Sequence, residues 1–279
     1  MADGSGTFSG TIIDQDAGSN AIISLVKNGA GTQVLTGANT YTGATTINAG
    51  VLQIGESGAG SIASPTTVTG GTLAGTGFVN NSVAVNSASI VSPGDNGGSD
   101  LGTLTVGSAV FAAGSSLVIQ LDPSQPGDFT PTSNHVLATS GASDRLVVNG
   151  ELSLGGTLDL RPLVGGHLSA SPRQEFDILD FDLADILNDS DQDGILDTHF
   201  DTYLIPYLHT DGYATVGHQE MVDSNFYINT GDYGDLGYYT WDFNDLYTQG
   251  IIRVIPEPGT WAVFGLGLLT LGFFRRRKK

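Results

Sequence analysis

The stretch that decides the fold reads Leu25-Val26-Lys27-Asn28-Gly29-Ala30-Gly31-Thr32-Gln33-Val34-Leu35-Thr36-Gly37-Ala38-Asn39-Thr40-Tyr41-Thr42-Gly43, and after Ala44 it continues into Thr45-Thr46-Ile47-Asn48-Ala49-Gly50-Val51-Leu52. Short runs of β-branched and apolar residues alternate here with glycine and asparagine, which is typical of short strands joined by turns. Residues 1–120 keep this composition and hold only six acidic residues and one cation, Lys27. No 3.6-residue period persists, so this region is predicted to be all-β.

Apolar residues in this region recur at a spacing near 20. Leu52, Leu73, Ile90 and Phe111 lie 21, 17 and 21 residues apart, and Leu152 follows 41 residues after Phe111. A spacing of this kind, with one set of strands in each period, predicts a solenoid whose coils bury their apolar faces on one another.

Within the coils, apolar residues stand two apart and therefore share one face of a strand. The sets predicted to point inward are Leu104/Val106, Leu117/Ile119/Leu121, Leu146/Val148, Leu152/Leu154 and Leu158/Leu160. We predict a parallel β-helix over residues 1–163. The alternative is an antiparallel sandwich or jelly roll, which also has short strands at regular spacing.

The stretch over residues 25–52 resembles the autotransporter-associated β-strand repeat, found in passenger domains that fold as right-handed parallel β-helices. Residues 71–77, 92–94, 102–106 and 144–148 fit the usual surroundings of that repeat. The resemblance covers roughly residues 4–160 and implies a right-handed parallel β-helix there. Residues 1–7 show no cationic and apolar leader. We therefore expect the start to lie inside a longer coding region, or the sequence to be a fragment.

The charge of the chain is strongly acidic. Residues 1–274 carry 29 acidic and five basic residues, a net charge of −24. A surface of this charge repels phosphate backbones, so we expect no nucleic-acid partner. The chain has no cysteine, which fits an exported protein that is not stapled by disulfides.

Residues 164–253 are predicted to form an acidic, aromatic β segment that follows the solenoid. Residues 174–252 contain seventeen acidic residues and no lysine or arginine. We predict that the aromatic residues cap the open end of the solenoid, with a sugar-stacking platform as the alternative. They are Phe226, Tyr227, Tyr233, Tyr238, Tyr239, Trp241, Phe243 and Tyr247.

A loop in this segment has the spacing of a calcium site. Carboxylates at loop positions one, three, five and nine and glycine at six suit a hard cation, and position seven offers a backbone carbonyl. The predicted ligands are Asp189, Asp191, Asp193, the Ile195 carbonyl and Asp197. The loop resembles those of thrombospondin type 3 and dockerin repeats, except that Phe200 replaces the acid at position twelve. A solvated acidic turn is the alternative.

An enzymatic reading depends on Asp177, Asp180 and Asp182, which could supply a pair of carboxylates for sugar hydrolysis. Charged residues are nearly missing from the coils, where β-helix active sites usually lie. The five histidines show no metal or nucleophile pattern; they are His135, His167, His199, His209 and His218. We therefore predict no catalytic residues, with a carbohydrate-active enzyme as the alternative function.

The last segment, residues 254–279, is here called the sorting tail. It begins with a turn motif (Pro256, Glu257, Pro258), because each proline fixes φ and removes a donor. An uncharged stretch then reaches Phe274, and its predicted membrane-anchoring side chains are Trp261, Phe264, Leu266, Leu268, Leu269, Leu271, Phe273 and Phe274. The end is a basic cluster predicted to lie on the cytoplasmic side: Arg275, Arg276, Arg277, Lys278 and Lys279.

The layout of the sorting tail resembles the PEP-CTERM motif, whose proteins are exported, held in the inner membrane and processed by an exosortase. That resemblance implies recognition at Pro256, Glu257 and Pro258, one short transmembrane helix, and an exosortase-type enzyme as partner. We therefore expect an exported, non-enzymatic cell-surface or extracellular-matrix protein with a structural or adhesive role. Its expected location is the inner membrane during sorting, then the cell surface or exterior, where exopolysaccharide or a neighbouring cell is the expected partner.

Overall fold

The computed structural model describes residues 4–14, 21–94, 101–122, 143–163, 174–182, 196, 198–206, 213–217, 227–229, 239–243 and 245–256. Up to residue 162 the strands are β1 (Gly6–Phe8), β2 (Leu25–Lys27), β3 (Thr32–Leu35), β4 (Ala38–Asn39), β5 (Thr45–Ile47), β6 (Val51–Ile54), β7 (Ser61–Ile62), β8 (Thr66–Val68), β9 (Thr72–Gly75), β10 (Phe78–Val85), β11 (Ile90–Pro93), β12 (Thr103–Phe111), β13 (Ser116–Leu121), β14 (Arg145–Val148), β15 (Leu152–Ser153) and β16 (Thr157–Pro162). They are followed by β17 (Gln174–Asp177), β18 (Leu179–Phe181), β19 (Thr202–Pro206), β20 (Tyr213–Gly217), β21 (Tyr227–Asn229), β22 (Tyr239–Asp242), the helix α1 (Leu246–Gln249) and β23 (Ile251–Pro256).

Successive parts of the chain contribute strands alternately to two large sheets. The first sheet has the order β1-β3-β6-β9-β11-β13-β16-β19-β20. The second has the order β18-β14-β12-β10-β8-β5-β2, with β4, β7 and β15 paired onto it. Neighbouring strands in both sheets are parallel except for β19 and β20. The predicted all-β class is confirmed. Parallel pairing is consistent with a β-helix and contradicts the antiparallel sandwich.

Stacked apolar residues run through successive coils of the first sheet. Leu52 lies opposite Leu73, which lies opposite Val91, which lies opposite Leu117. All four are buried. Each such residue removes apolar area from water at about 25 cal/mol per Å², and this burial is the main term that holds the coils together.

The fixed period predicted from the sequence is right for its first step and wrong for the next three. Leu52 and Leu73 do pair, but the partner of Leu73 is Val91, whereas Ile90 pairs with Thr72. Phe111 lies in the second sheet opposite Val85, and its strand places Ala109 opposite Leu152. Coils differ in length because turns absorb insertions, so a constant spacing drifts from one sheet into the other.

The predicted alternation within coils is confirmed. Every residue assigned inward is buried, and the set is Leu104, Val106, Leu117, Ile119, Leu121, Leu146, Val148, Leu152, Leu154, Leu158 and Leu160. Period-two patterns depend only on the pleat of a single strand, so they survive changes in coil length.

A third, antiparallel sheet follows at the C-terminal end, in the order β17-β23-β22-β21. The helix α1 precedes β23 and is followed by the cap residue Gly250, whose φ of 72° is left-handed. A Cβ at this position would overlap the Leu179 carbonyl oxygen. Glycine therefore allows the chain to turn from α1 into β23 directly against β18.

Candidate functional site

The sorting tail begins inside the folded body. Strand β23 ends at Pro256, so the first residue of the predicted Pro-Glu-Pro motif is the last residue of a paired strand. Pro256 lies opposite Tyr239 on β22, and Val254 lies opposite Trp241. Glu257, Pro258, the predicted membrane-anchoring side chains and the basic cluster lie outside the described residues. No helix within the described ranges has the length and apolar character needed to cross a membrane.

The first residues of β23 are packed in the hydrophobic core. Ile251 and Ile252 are buried, and Phe176, which lies opposite Ile252 on β17, is fully buried as well. On α1, Leu246 is fully buried, and Tyr247 is 5% exposed. The strand that leads into the sorting tail therefore belongs to the cooperative core of the protein.

A pair of tyrosines joins α1 to the last parallel strand. The Tyr203 and Tyr247 hydroxyls are hydrogen bonded to each other, and the Phe200 backbone N–H donates to the Tyr247 hydroxyl oxygen over 3.1 Å. Burial raises the pKa of Tyr203 and that of Tyr247 well above the ordinary value for tyrosine, so both hydroxyls remain protonated. Phe243 packs edge-on against Tyr203 at 5.6 Å between ring centroids.

These contacts support a capping role for two of the aromatic residues that the sequence assigns to the cap. Phe243 and Tyr247 lie in the core at the end of the parallel stack and are not available as an exposed sugar-stacking platform. Tyr227, Tyr239 and Trp241 lie on β21 and β22. Phe226, Tyr233 and Tyr238 lie outside the described residues.

The predicted calcium ligands Asp189, Asp191, Asp193, Ile195 and Asp197 lie outside the described residues. Leu196, which the loop places between the last two ligands, is described and buried, and its N–H donates to the Tyr247 carbonyl oxygen over 2.9 Å. The described residues contain no group of three or more His, Asp or Glu side chains placed to hold a metal. The calcium site remains a prediction.

Of the three carboxylates considered for catalysis, Asp177 forms an ion pair between two strands. Asp177 accepts from Arg145 at 3.1 Å in an ion pair whose two side chains are 21% and 13% exposed. Asp180 lies opposite Val147 in the second sheet, and Asp182 follows that strand. The Asp177 carboxylate, held by a guanidinium, links β17 to β14.

Two buried polar residues that the sequence pattern did not reveal connect the coils. Asn39 accepts a hydrogen bond from the Ile12 N–H at 2.9 Å, and its amide donates to the Gly37 and Ser61 carbonyl oxygens. Asp144 is fully buried and accepts from the N–H groups of Gly102 and Gln120 at 2.9 and 3.0 Å. The signal in the sequence was a lone polar residue beside a strand, which is indistinguishable from an ordinary turn residue.

A polar ladder lies on the exposed edge that follows β2, β5 and β8. Asn48 donates to the Asn28 side-chain oxygen at 2.9 Å, and Thr69 donates to the Asn48 side-chain oxygen at 2.7 Å. Lys27 donates to the Gly29 and Ala49 carbonyl oxygens at 2.7 and 3.0 Å. These stacked polar groups link adjacent strands along this edge.

Comparison with known proteins gives matches in the N-terminal strands and in the sorting tail. The model of the passenger-associated-transport-repeat matches residues 25–54, and that of the PEP-CTERM protein-sorting motif matches residues 254–278. The chain carries both motifs. The repeat motif spans β2 to β6 and includes Asn39 and Lys27, while the sorting motif begins within β23.

A curated relative is the adhesin BmaC autotransporter of Brucella suis biovar 1 (strain 1330). It is 41% identical over 95 residues, which is 34% of this chain and 3% of the adhesin. The match thus spans a small fraction of that protein's length. Together with the sorting motif, it supports a secreted or cell-surface protein.

Proposed function

We propose that this chain is a non-enzymatic structural or adhesive protein of the bacterial cell surface or extracellular matrix. Its sorting tail delivers it to the inner membrane, where an exosortase-type enzyme processes it. The observation that carries the proposal is the joining, on one chain, of stacked repeat coils to a PEP-CTERM motif. The tail supplies an address, and the coils supply the exported body.

The body suits a mechanical role because its coils are coupled by several independent kinds of contact. Apolar stacks, parallel ladders, the Asn39 bridge and the Asn28–Asn48–Thr69 ladder all act between adjacent coils. We propose that the two parallel sheets form the walls of one right-handed β-helix, which acts as a rod. Its outer face would contact exopolysaccharide or a neighbouring cell, and the net charge of −24 over residues 1–274 makes nucleic acid an unfavourable partner.

Calcium belongs to the same proposal as an ordering ligand. The loop with Asp189, Asp191, Asp193, the Ile195 carbonyl and Asp197 would bind the cation, and Leu196 ties the loop to the core through Tyr247. Because Leu196 is buried, cation binding next to it would be coupled to the stability of the cap.

Surface display tests the sorting part of the proposal. A short epitope placed beside Gly58, where a side chain would have no other atom within 4 Å of its Cβ, would report exposure of the body on intact cells. We expect labelling of wild-type cells and a marked loss of labelling for Glu257→Ala. An epitope insertion with all of residues 254–279 unchanged is the matched control. Full-length chain in the cytosolic fraction with its tail intact would contradict the proposal.

Incubation with extracted exopolysaccharide separates adhesion from the alternative function, a carbohydrate-active enzyme. Co-sedimentation without release of new reducing ends or unsaturated sugars supports a structural role. Release of sugar that is lost in Asp180→Asn would favour the enzyme.

A further inference from the structure

The PEP-CTERM motif and the folded body share residues. The motif match begins at residue 254, and strand β23 continues to Pro256. Three residues of the motif, 254–256, are therefore part of a sheet, and Pro256 is the last residue of a paired strand. A processing enzyme would meet this segment as folded strand.

Strand β23 is an inner strand of its sheet. On one side it pairs with β17 from Ile251 to Val254, and on the other with β22 from Arg253 to Pro256. The buried Ile251 and Ile252 hold the strand at its beginning. Beyond Val254 the strand pairs with β22 alone. We therefore expect this end of β23 to need less free energy to open than the part that is paired on both sides.

We propose that the pairing of residues 254–256 with β22 gates access to the sorting motif, so that processing occurs only from molecules in which this strand end has opened. The inference rests on the proposed function, because it concerns the enzyme that processes the tail. An enzyme that binds an extended substrate must replace the sheet partners of that segment. The apparent rate then scales with the fraction of molecules in the open state.

This gate would couple sorting to folding. Local openings of a few residues at a strand end cost much less than global unfolding, and they respond to the stability of the surrounding sheet. A body with a formed cap would keep its tail longer than a body in which β22 has not yet paired. Tyr239 and Trp241, the partners of Pro256 and Val254, become determinants of processing although neither belongs to the motif.

Two opposite perturbations test the gate. The first inserts Gly-Ser-Gly-Ser-Gly-Ser between Ile255 and Pro256, which moves Pro256, Glu257 and Pro258 away from the sheet and leaves Val254 and Ile255 paired in it. The second is Trp241→Cys with Val254→Cys, two positions that lie directly opposite in the antiparallel register. The chain has no other cysteine, so mild oxidation of the purified protein yields a single lock, which a reductant reverses. The same spacer inserted between Ser57 and Gly58, in an exposed turn, is the control.

Processing is followed by intact-mass measurement after mixing detergent-solubilised chain with membranes containing the exosortase. We expect the 255/256 spacer to raise the initial rate about tenfold, which corresponds to roughly 1.4 kcal/mol of opening free energy. The oxidised lock should lower the rate at least about fivefold relative to its own reduced form, and the 57/58 spacer should leave the rate unchanged. Equal rates for wild type, spacer and lock would overturn the gate and leave the sorting function intact. Absence of processing in every variant, the spacer included, would overturn both.

Discussion

Replacement of Asn39 by aspartate is a sharp test of the coil-to-coil bridge. The Asn39 side chain is 1% exposed and makes three hydrogen bonds, one as acceptor from Ile12 and two as donor to Gly37 and Ser61. Aspartate has nearly the same shape and keeps the acceptor role. It replaces the two donors with a carboxylate oxygen that faces two carbonyl oxygens.

The expected loss of unfolding free energy follows from those contacts. Loss of two hydrogen bonds costs about 1–3 kcal/mol in net stability, and a buried charge without a partner brings the total to about 3–5 kcal/mol at pH 7. Burial and the two carbonyl oxygens raise the pKa of the introduced carboxyl in the folded state above its unfolded value of about 3.9. The folded state then holds a proton that the unfolded state has lost. Stability of the variant, relative to wild type, therefore falls as the pH rises above about 4, until the carboxyl is ionised in both states.

Urea unfolding of wild type and Asn39→Asp, followed by far-ultraviolet circular dichroism between pH 4 and pH 8, measures this difference. Asn28→Asp is the control, because Asn28 is exposed and its side-chain oxygen acts as an acceptor that aspartate also provides. We expect the control to stay within about 0.5 kcal/mol of wild type. A loss of unfolding free energy for Asn39→Asp that is below about 1 kcal/mol at pH 7, or that does not change with pH, would refute the hydrogen bonds assigned to Asn39.

Three further predictions concern other parts of the chain. Gly250→Ala should lower the unfolding free energy by more than Gly58→Ala, for which we expect roughly 1 kcal/mol. Both glycines have positive φ, but only at Gly250 would an added Cβ overlap a backbone carbonyl oxygen. Thermal melts of the two variants measure the difference. Asp191→Ala should abolish calcium binding in isothermal titration at millimolar cation, while Glu56→Ala, which lies outside the predicted loop, keeps it. No binding by the wild type would reject the site. Hydrogen bonds from Ile23 and Thr42 lower the pKa of Asp14, so its contribution to stability is present above the unfolded pKa and lost as the pH falls through the folded value. A carbon-detected NMR titration of Asp14 with a pKa at or above the ordinary aspartate value of 3.8 would contradict this assignment.

The site divides into parts that the sequence could reveal and parts that it could not. The Pro-Glu-Pro motif and its position before an apolar stretch depend on local residue types, and a sorting-motif match over residues 254–278 agrees with them. The pairing of Pro256 with Tyr239 depends on which strand returns to lie beside β23, and nothing local to residues 254–256 specifies that partner. The roles of Asn39 and Asp144 were hidden for the same reason, because their partners lie up to 42 residues away.

The sequence by itself determined the all-β class and the inward residues of the strands, because these depend on local patterning and on the two-residue repeat of the pleat. Only the tertiary structure decided the register between coils, where turns of unequal length moved Phe111 out of the predicted stack and replaced Ile90 with Val91. It also decided that the tail starts on an inner strand of a sheet. Long-range pairing sets both features, because the free energy of a strand's position depends on the neighbours it meets as well as on its own residues.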